Sequence, residues 1–343
     1  MTRSIACARP LALAGMLAAG LLAVPAHAQP VPSGKLTVTP DFPDDDHDRT
    51  NLSGAACFVK ENVRKSCVIV ADEGRHARFF SIAGATMIPG DRIFLLPAKD
   101  ENGKKFKEAD LEAVAFDAGT YYAVGSHGLS GEEGKKQPSR YFVYRLSVDP
   151  ATGRPADLGS ETKASASVER KATLEALIAA DDKLKPHIDK VPGEQGVNIK
   201  GLAVAGGDMF FGFRGPVLDD GALVMQVPVA AIFDGAALGA KPKVHPPLPL
   251  GKGQGIRDLA AVKGGLFLVL SGPEKREPGK AEVFLWKPGS GPIPIHDLGG
   301  PRPDKGQPEA LLLLGETDTA YAVLVISDGP ENGDPTVVEI KKP

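Results

Sequence analysis

One pattern recurs five times along this chain, and it restricts the fold more than any other feature. A short apolar run is followed within a few residues by a second apolar run that ends in a Gly-containing loop. The pairs are SGAACFV (53–59) with CVIVADEG (67–74), LEAVAFD (111–117) with YYAVGSHG (121–128), and IKGLAVAGG (199–207) with MFFGFRG (209–215). IRDLAAVKGG (256–265) with LFLVLSG (266–272), and PEALLLLG (308–315) with YAVLVISDG (321–329), complete the set. The intervening turns, such as Asp117-Ala118-Gly119, Gly206-Gly207-Asp208 and Gly264-Gly265, supply residues that tolerate the positive φ of tight hairpins. A third strand follows each pair (ARFFSIA, RYFVYRLSV, ALVMQVPV, EVFLWKP, TVVEIKK), and a fourth often does, as in RIFLLP and PIPIHDL. Runs this apolar and this short predict sheets buried on both faces.

Four strands repeated radially predict an all-β fold, a β-propeller of five four-stranded blades. The last repeat supplies only three strands. KLTVTPDF (35–42) is left over and is assigned as its outer strand, so that both chain ends close the ring and remove an exposed edge. The alternative is a sixth, degenerate blade in 150–197. A helical insertion at about 160–190 is preferred, because VERKATLEALIAADDKL puts Leu174, Leu177 and Ile178 on one face and stops before Pro186.

The first 28 residues read as a cleavable secretory signal. Arg3 and Arg9 precede an Ala/Leu-rich stretch that ends in Ala26-His27-Ala28. The expected products are an exported, periplasmic or secreted chain and one propeller domain over 29–343. The 40 Lys+Arg, two of them in the leader, stand against 43 Asp+Glu. This mildly acidic balance has no footprint for nucleic acid. No stretch approaches the length of a membrane span, and a monomer is expected. Cys57 and Cys67 remain after the leader is removed. They face each other across the first hairpin if its register allows, and an exported chain favours their disulfide.

In a propeller, the residue that opens strand one and the residue that ends strand two meet at the same rim of the axial channel. Read around the ring, these positions offer Ser53 or Gly54 with Asp72 and Glu73, then Glu112 with His127, Lys200 with Arg214, Asp258 with Ser271, and Glu309 with Ser327 and Asp328. The candidate ligand-binding set is therefore Glu73, Glu112, His127, Lys200, Arg214, Asp258, Glu309 and Asp328. Long polar loops such as FRGPVLDDG and SGPEKREPG wall the same face.

Three functions are compatible with such a ring. It can bind a small anionic or polar ligand through Lys200 and Arg214, with Glu112, Asp258 and His127 reading hydroxyls or amines. It can act as a metal-assisted phosphoester or ester hydrolase, with a divalent metal on Glu112, Asp258, Glu309 and Asp328 and His127 as base. It can also be an inert centre beneath a protein-interaction scaffold. Only the second needs a cofactor, and the residues alone leave catalysis open. The structural alternative is that Lys200 and Arg214 simply neutralise the acids. Two other features are weaker. Gly125-Ser126-His127-Gly128 lacks the GxSxG of a nucleophile elbow. Asp44, Asp45, Asp46 and Asp48 around His47 lack the Gly and terminal Glu of a calcium loop and read as a solvated turn.

The signatures DLEAVA…VGSHG, NIKGLAV…GFRG, GIRDLAAV…LSG and QPEALLLL…ISDG resemble a family of secreted bacterial proteins, domain of unknown function 3616. The resemblance spans almost the whole mature chain. It implies a propeller-like fold and export, and brings no activity, cofactor or catalytic residue with it. The blades are more distantly similar to esterase-like and phytase-like propellers, from whose acid rings this chain departs at Lys200 and Arg214.

Overall fold

A computed structural model of the chain describes Met1 and residues 31–43, 49–61, 63–131, 134–219, 221–235, 242–277, 279–300 and 306–343. The leader and the Asp44–Asp48 acidic turn lie outside the described residues. The chain enters through two short strands, β1 (Gly34–Lys35) and β2 (Thr37–Val38). Blade one follows, as β3 (Leu52–Lys60), β4 (Val63–Ala71), β5 (His76–Ala83) and β6 (Thr86–Phe94). Blade two is β7 (Leu111–Asp117), β8 (Thr120–Gly125), β9 (Val143–Ser147) and β10 (Val168–Lys171). Blade three is β11 (Asn198–Ala205), β12 (Asp208–Leu218), β13 (Gly221–Pro228) and β14 (Lys243–Val244). Blade four is β15 (Gln254–Val262), β16 (Leu266–Pro273), β17 (Ala281–Trp286) and β18 (Ile293–Gly299). Blade five is β19 (Gln307–Glu316), β20 (Ala320–Asp328) and β21 (Thr336–Lys341), completed by β1.

The result is an all-β, five-bladed propeller. The innermost strands pack in a closed cycle, β3 on β7, β7 on β11, β11 on β15, β15 on β19, and β19 back on β3. An apolar cluster fills every seam between neighbouring blades, including the one that closes the ring. Both faces of each sheet are therefore covered, which is why the strands read as continuous apolar runs rather than alternating ones.

Closure at the N-terminus differs in detail from the expectation. Only Gly34 and Lys35 pair with β21, antiparallel, opposite Val337 and Thr336. The chain then crosses the seam, and Thr37 and Val38 pair in parallel with Thr86 and Met87 of blade one. Leu36, between the two strands, donates its backbone N–H to Pro335 O at 2.8 Å. Its side chain is buried with Phe42 among Leu52, Leu312 and Leu324. The segment thus staples the last blade to the first instead of completing one of them.

The predicted insertion is also different. Val168–Lys171 is not helical but forms the outer strand of blade two, and the helix α1 covers only Thr173–Ala179. Leu174 and Ile178 bury against blades two and three as the helical spacing required. A second short helix, α2 (Val229–Phe233), joins the same cluster. In blade one, Cys57 and Cys67 are paired residues of β3 and β4 and form a disulfide. Among the described residues no helix is long and apolar enough to cross a membrane.

Candidate axial binding site

All five inner strands carry a bulge at the same place. Pairing jumps from Leu52 to Gly54, from Leu111 to Ala113, from Ile199 to Gly201, from Ile256 to Asp258 and from Pro308 to Ala310. The residues left out of the ladder are Ser53, Glu112, Lys200, Arg257 and Glu309. A bulge bends the strand and re-aims one side chain. Four of these five, Glu112, Lys200, Arg257 and Glu309, line one axial cavity of about 730 Å³.

These four charges neutralise each other. Lys200 Nζ lies 2.5 Å from Glu112 Oε2 and 3.9 Å from Glu309 Oε2. Arg257 pairs with Glu309 Oε1 and donates through Nη2 to Pro273 O at 2.6 Å. All four side chains are buried. Burial pushes the Glu112 carboxyl up to about 7 despite the opposing pull of Lys200. Burial alone would lower the Lys200 ammonium, but Glu112 and then Glu309 outweigh it and hold the ammonium above its ordinary value.

Further out, the wall changes character from blade to blade. Arg140 bridges Glu108 at 2.6 Å and Asp110 at 2.9 Å on the blade-two side. Asp72 and Asp328, which end the second strands of blades one and five, have no ion pair among the described residues. The Asp72 Oδ1 is fully covered and lacks a hydrogen-bond partner. Burial drives the Asp72 carboxyl up to about 8, with Lys200 pulling against it and Glu112 reinforcing it. Asp328 is also raised, first by burial and then by Glu309. Glu73 and Glu277 stand exposed at the mouth.

Arg214 is the group the ring does not satisfy. It is an extra residue on β12, between Phe213 opposite Ile199 and Gly215 opposite Asn198. Its neighbour in blade four is Gly255, where a Cβ would come within 2.0 Å of the Arg214 carbonyl. Only glycine allows that approach, which sets where the Arg214 backbone sits. The side chain lines the cavity and is 8% exposed, and neither Nε nor Nη2 has a hydrogen-bond partner. Burial lowers its pKa, and the nearby Arg257 lowers it further.

Six of the eight residues anticipated from the sequence, Glu73, Glu112, Lys200, Arg214, Glu309 and Asp328, therefore line one cavity. Two do not. Asp258 lies one residue past the bulge, where inner strands of neighbouring blades touch. Its two carboxylate oxygens accept the backbone N–H groups of Leu259 and of Leu311 in blade five, each at 2.7 Å. It is a tie between blades, and the axial residue of blade four is Arg257. His127 turns away through a positive φ of 53°. Its ring packs against Tyr141, and its Nδ1 lies 2.9 Å from Gly125 O. Burial depresses its pKa to about 4, so the ring is neutral at pH 7.

A calcium or other divalent site does not fit these residues. Among the described residues no three His, Cys, Asp or Glu side chains come together as a ligand set. Glu112 and Glu309 already hold cations, and Asp258 is occupied by backbone donors.

No curated protein matches the chain. Among solved structures it is similar to YCF48 bound to D1 peptide (11% identity, TM-score 0.32), covering 86% of this chain but 66% of that one. It is similar to MPT-4, a mannose phosphorylase from Leishmania mexicana in complex with phosphate ion (13% identity, TM-score 0.40, 91% and 88% covered). It is also similar to the WD40 β-propeller domain of Doa1 (10% identity, TM-score 0.35, 85% and 93% covered). Similarities this distant extend to no substrate, ligand or partner. One family profile matches residues 91–335, well over half of the chain, and the chain belongs to that family, described as a protein of unknown function (DUF3616).

Proposed function

We propose that this is an exported propeller whose axial pocket binds a small ligand bearing an oxyanion, a carboxylate or a phosphate. The observation that carries this reading is the unsatisfied edge of Arg214. Nε and Nη2 are the two donors on one side of a guanidinium, and together they match two oxygens of a carboxylate or phosphate. A buried, unpaired guanidinium opposes folding unless a partner arrives, and an anionic ligand is such a partner. The cavity size lies in the ordinary range for small-molecule sites.

A second cleft supports the same reading. It shares Lys107 and Gln137 with the axial cavity and is also lined by Lys104, Lys105, Lys135 and Lys136. The lysines of that neighbouring cleft attract anions toward its shared edge with the cavity. The leader seen in the sequence and the Cys57–Cys67 disulfide support an oxidising, extracytoplasmic setting. The hydrolase alternative lacks a metal-ligand set among the described residues. The scaffold alternative needs an exposed apolar patch. Among the described residues the exposed large apolar side chains, Met1, Val31, Val59, Ile88 and Ile293, fall outside the loops that wall the cavity.

The test is a thermal-shift titration of the mature protein with small carboxylates and phosphate esters. A ligand at about 100 times its Kd adds about 2.7 kcal/mol of stability. That gain should vanish in Arg214→Met. If no anion stabilises the wild type, or the variant responds equally, the reading is wrong.

A further inference from the structure

We infer that the ligand is a zwitterion, with its anionic group on Arg214 at the blade-three wall and an ammonium on Asp72 and Asp328 at the seam of blades five and one. This rests on the reading of Arg214 as the anion site and adds a second pole to it. In a closed ring of five, blade three faces the seam between blades five and one across the axis. The buried and half-buried charged groups of the cavity that lack an ion pair among the described residues sort along that diameter. Lys200 with Glu112 and Arg257 with Glu309 are internally neutralised, and Glu108 and Asp110 are both held by Arg140. Arg214 is left on one side, and Asp72 and Asp328 on the other.

The two poles do not compensate each other. The charged groups acting on Asp72 are Lys200, Glu112, Asp110 and Asp328. Those acting on Arg214 are Arg257, Glu309, Glu112 and Arg276. Asp72 Oδ1 and Arg214 Nε and Nη2 each lack a hydrogen-bond partner, so these atoms do not bond one another. A plain anion satisfies Arg214 and leaves the Asp72 carboxyl without a cation. A ligand with a donor cation at its far end satisfies both.

The two kinds of ligand respond to pH in opposite directions. Asp72 holds a proton up to about pH 8 in the free protein. An ammonium at Asp72 displaces that proton, so affinity for a zwitterion rises toward pH 8. A plain carboxylate meets growing negative charge as Glu112 and Asp72 ionise, so its affinity falls, and the phosphate pair, whose own second charge forms near pH ~6, is compared within the pair at each pH. Alkylammonium groups stay charged throughout, with pKa values near ~10.

Isothermal titration of the mature protein with two matched pairs tests this: 4-aminobutyrate against butyrate, and O-phosphoethanolamine against ethyl phosphate, at about pH 6 and about pH 8. The amine member of at least one pair should bind about tenfold tighter, a difference of ~1.4 kcal/mol. Its affinity should rise with pH, and proton release should be detected as a buffer-dependent heat. Asp72→Asn should remove the amine preference and keep the anion affinity. Asp328→Asn is the second variant if Asp72→Asn does not fold by circular dichroism. Equal binding within both pairs, or a preference that survives both variants, overturns the zwitterion and leaves the anion site standing. If neither member of either pair binds the wild type, both readings fail together.

Discussion

Arg214 and Arg257 lie in the same cavity, yet replacing each by methionine should move stability in opposite directions. Arg257 is bound to Glu309, which is 2% exposed, and to Pro273 O. Arg257→Met leaves that carboxylate with only Lys200, 3.9 Å away, a change that costs about 3–5 kcal/mol. At about 2–4 °C per kcal/mol, the melting temperature should fall by roughly 6–20 °C. Arg214 holds nothing in the ligand-free protein through Nε and Nη2. Methionine keeps most of the apolar stem and removes the unsatisfied donors, a gain of about 1–3 kcal/mol. Arg214→Met should therefore melt roughly 2–12 °C higher than the parent when no ligand is present. The double replacement Arg257→Met with Glu309→Met should recover most of the single-variant loss, because removing a whole buried pair is often close to neutral. Calorimetric unfolding at pH 7 of the dialysed mature protein measures all of these. A loss in Arg214→Met as large as that in Arg257→Met would refute the reasoning, since Arg214 would then belong to the structural ion-pair ring.

Stability should decline as pH rises from about 4 to about 8, because Asp72 and Glu112 ionise in the unfolded chain well before they ionise in the folded one. The folded carboxyls are raised, so their contribution is complete below pH ~4 and lost as pH climbs through about 7 and 8. Urea unfolding across this window should show the decline, and Asp72→Asn should flatten it; an unchanged slope would refute the assignment. Leu36→Ala should cost about 2–5 kcal/mol, since this side chain is 1% exposed and fills the closing seam. A loss below about 1 kcal/mol in urea unfolding would show that the N-terminal staple does not hold the ring. The disulfide closes a sequence separation of 10, so losing it should cost about 2–3 kcal/mol of chain entropy. Intact mass after alkylation of the unreduced protein should show no modified thiol, and two modified thiols would refute the bond.

The blades were legible because each inner strand is buried on both faces and leaves an uninterrupted apolar run. The chain ends and the outer strands of blades two and three were not, because short strands of two to four residues carry no periodicity. Val168–Lys171 shows this: VERK is built from residues that serve a helix equally well, and only its partner β9 makes it a strand. At the axis the signal was present and slipped by one residue. In LEAVA and IKGLA the charged residue follows an aliphatic one and precedes a small one, and in IRDLA the residue in that place is Arg257. Asp258 occupies the small-residue place, held by Gly54, Ala113, Gly201 and Ala310 in the other blades. That place is tight: a Cβ on Gly54 would come within 2.7 Å of Ala113 Cα. A carboxylate is accepted there because it takes two backbone N–H groups, one from each of two blades. In a strand a shift of one residue exchanges the two faces, so the slip turned an axial cation into an apparent axial acid. With Asp258 the ring read as acid-rich, which is what made a metal conceivable. With Arg257 the innermost ring is two cations and two acids in mutual contact, and the open chemistry moves outward. It rests with Arg214, on the second strand of blade three, and Asp72, just past the second strand of blade one, rather than with residues that open the first strands.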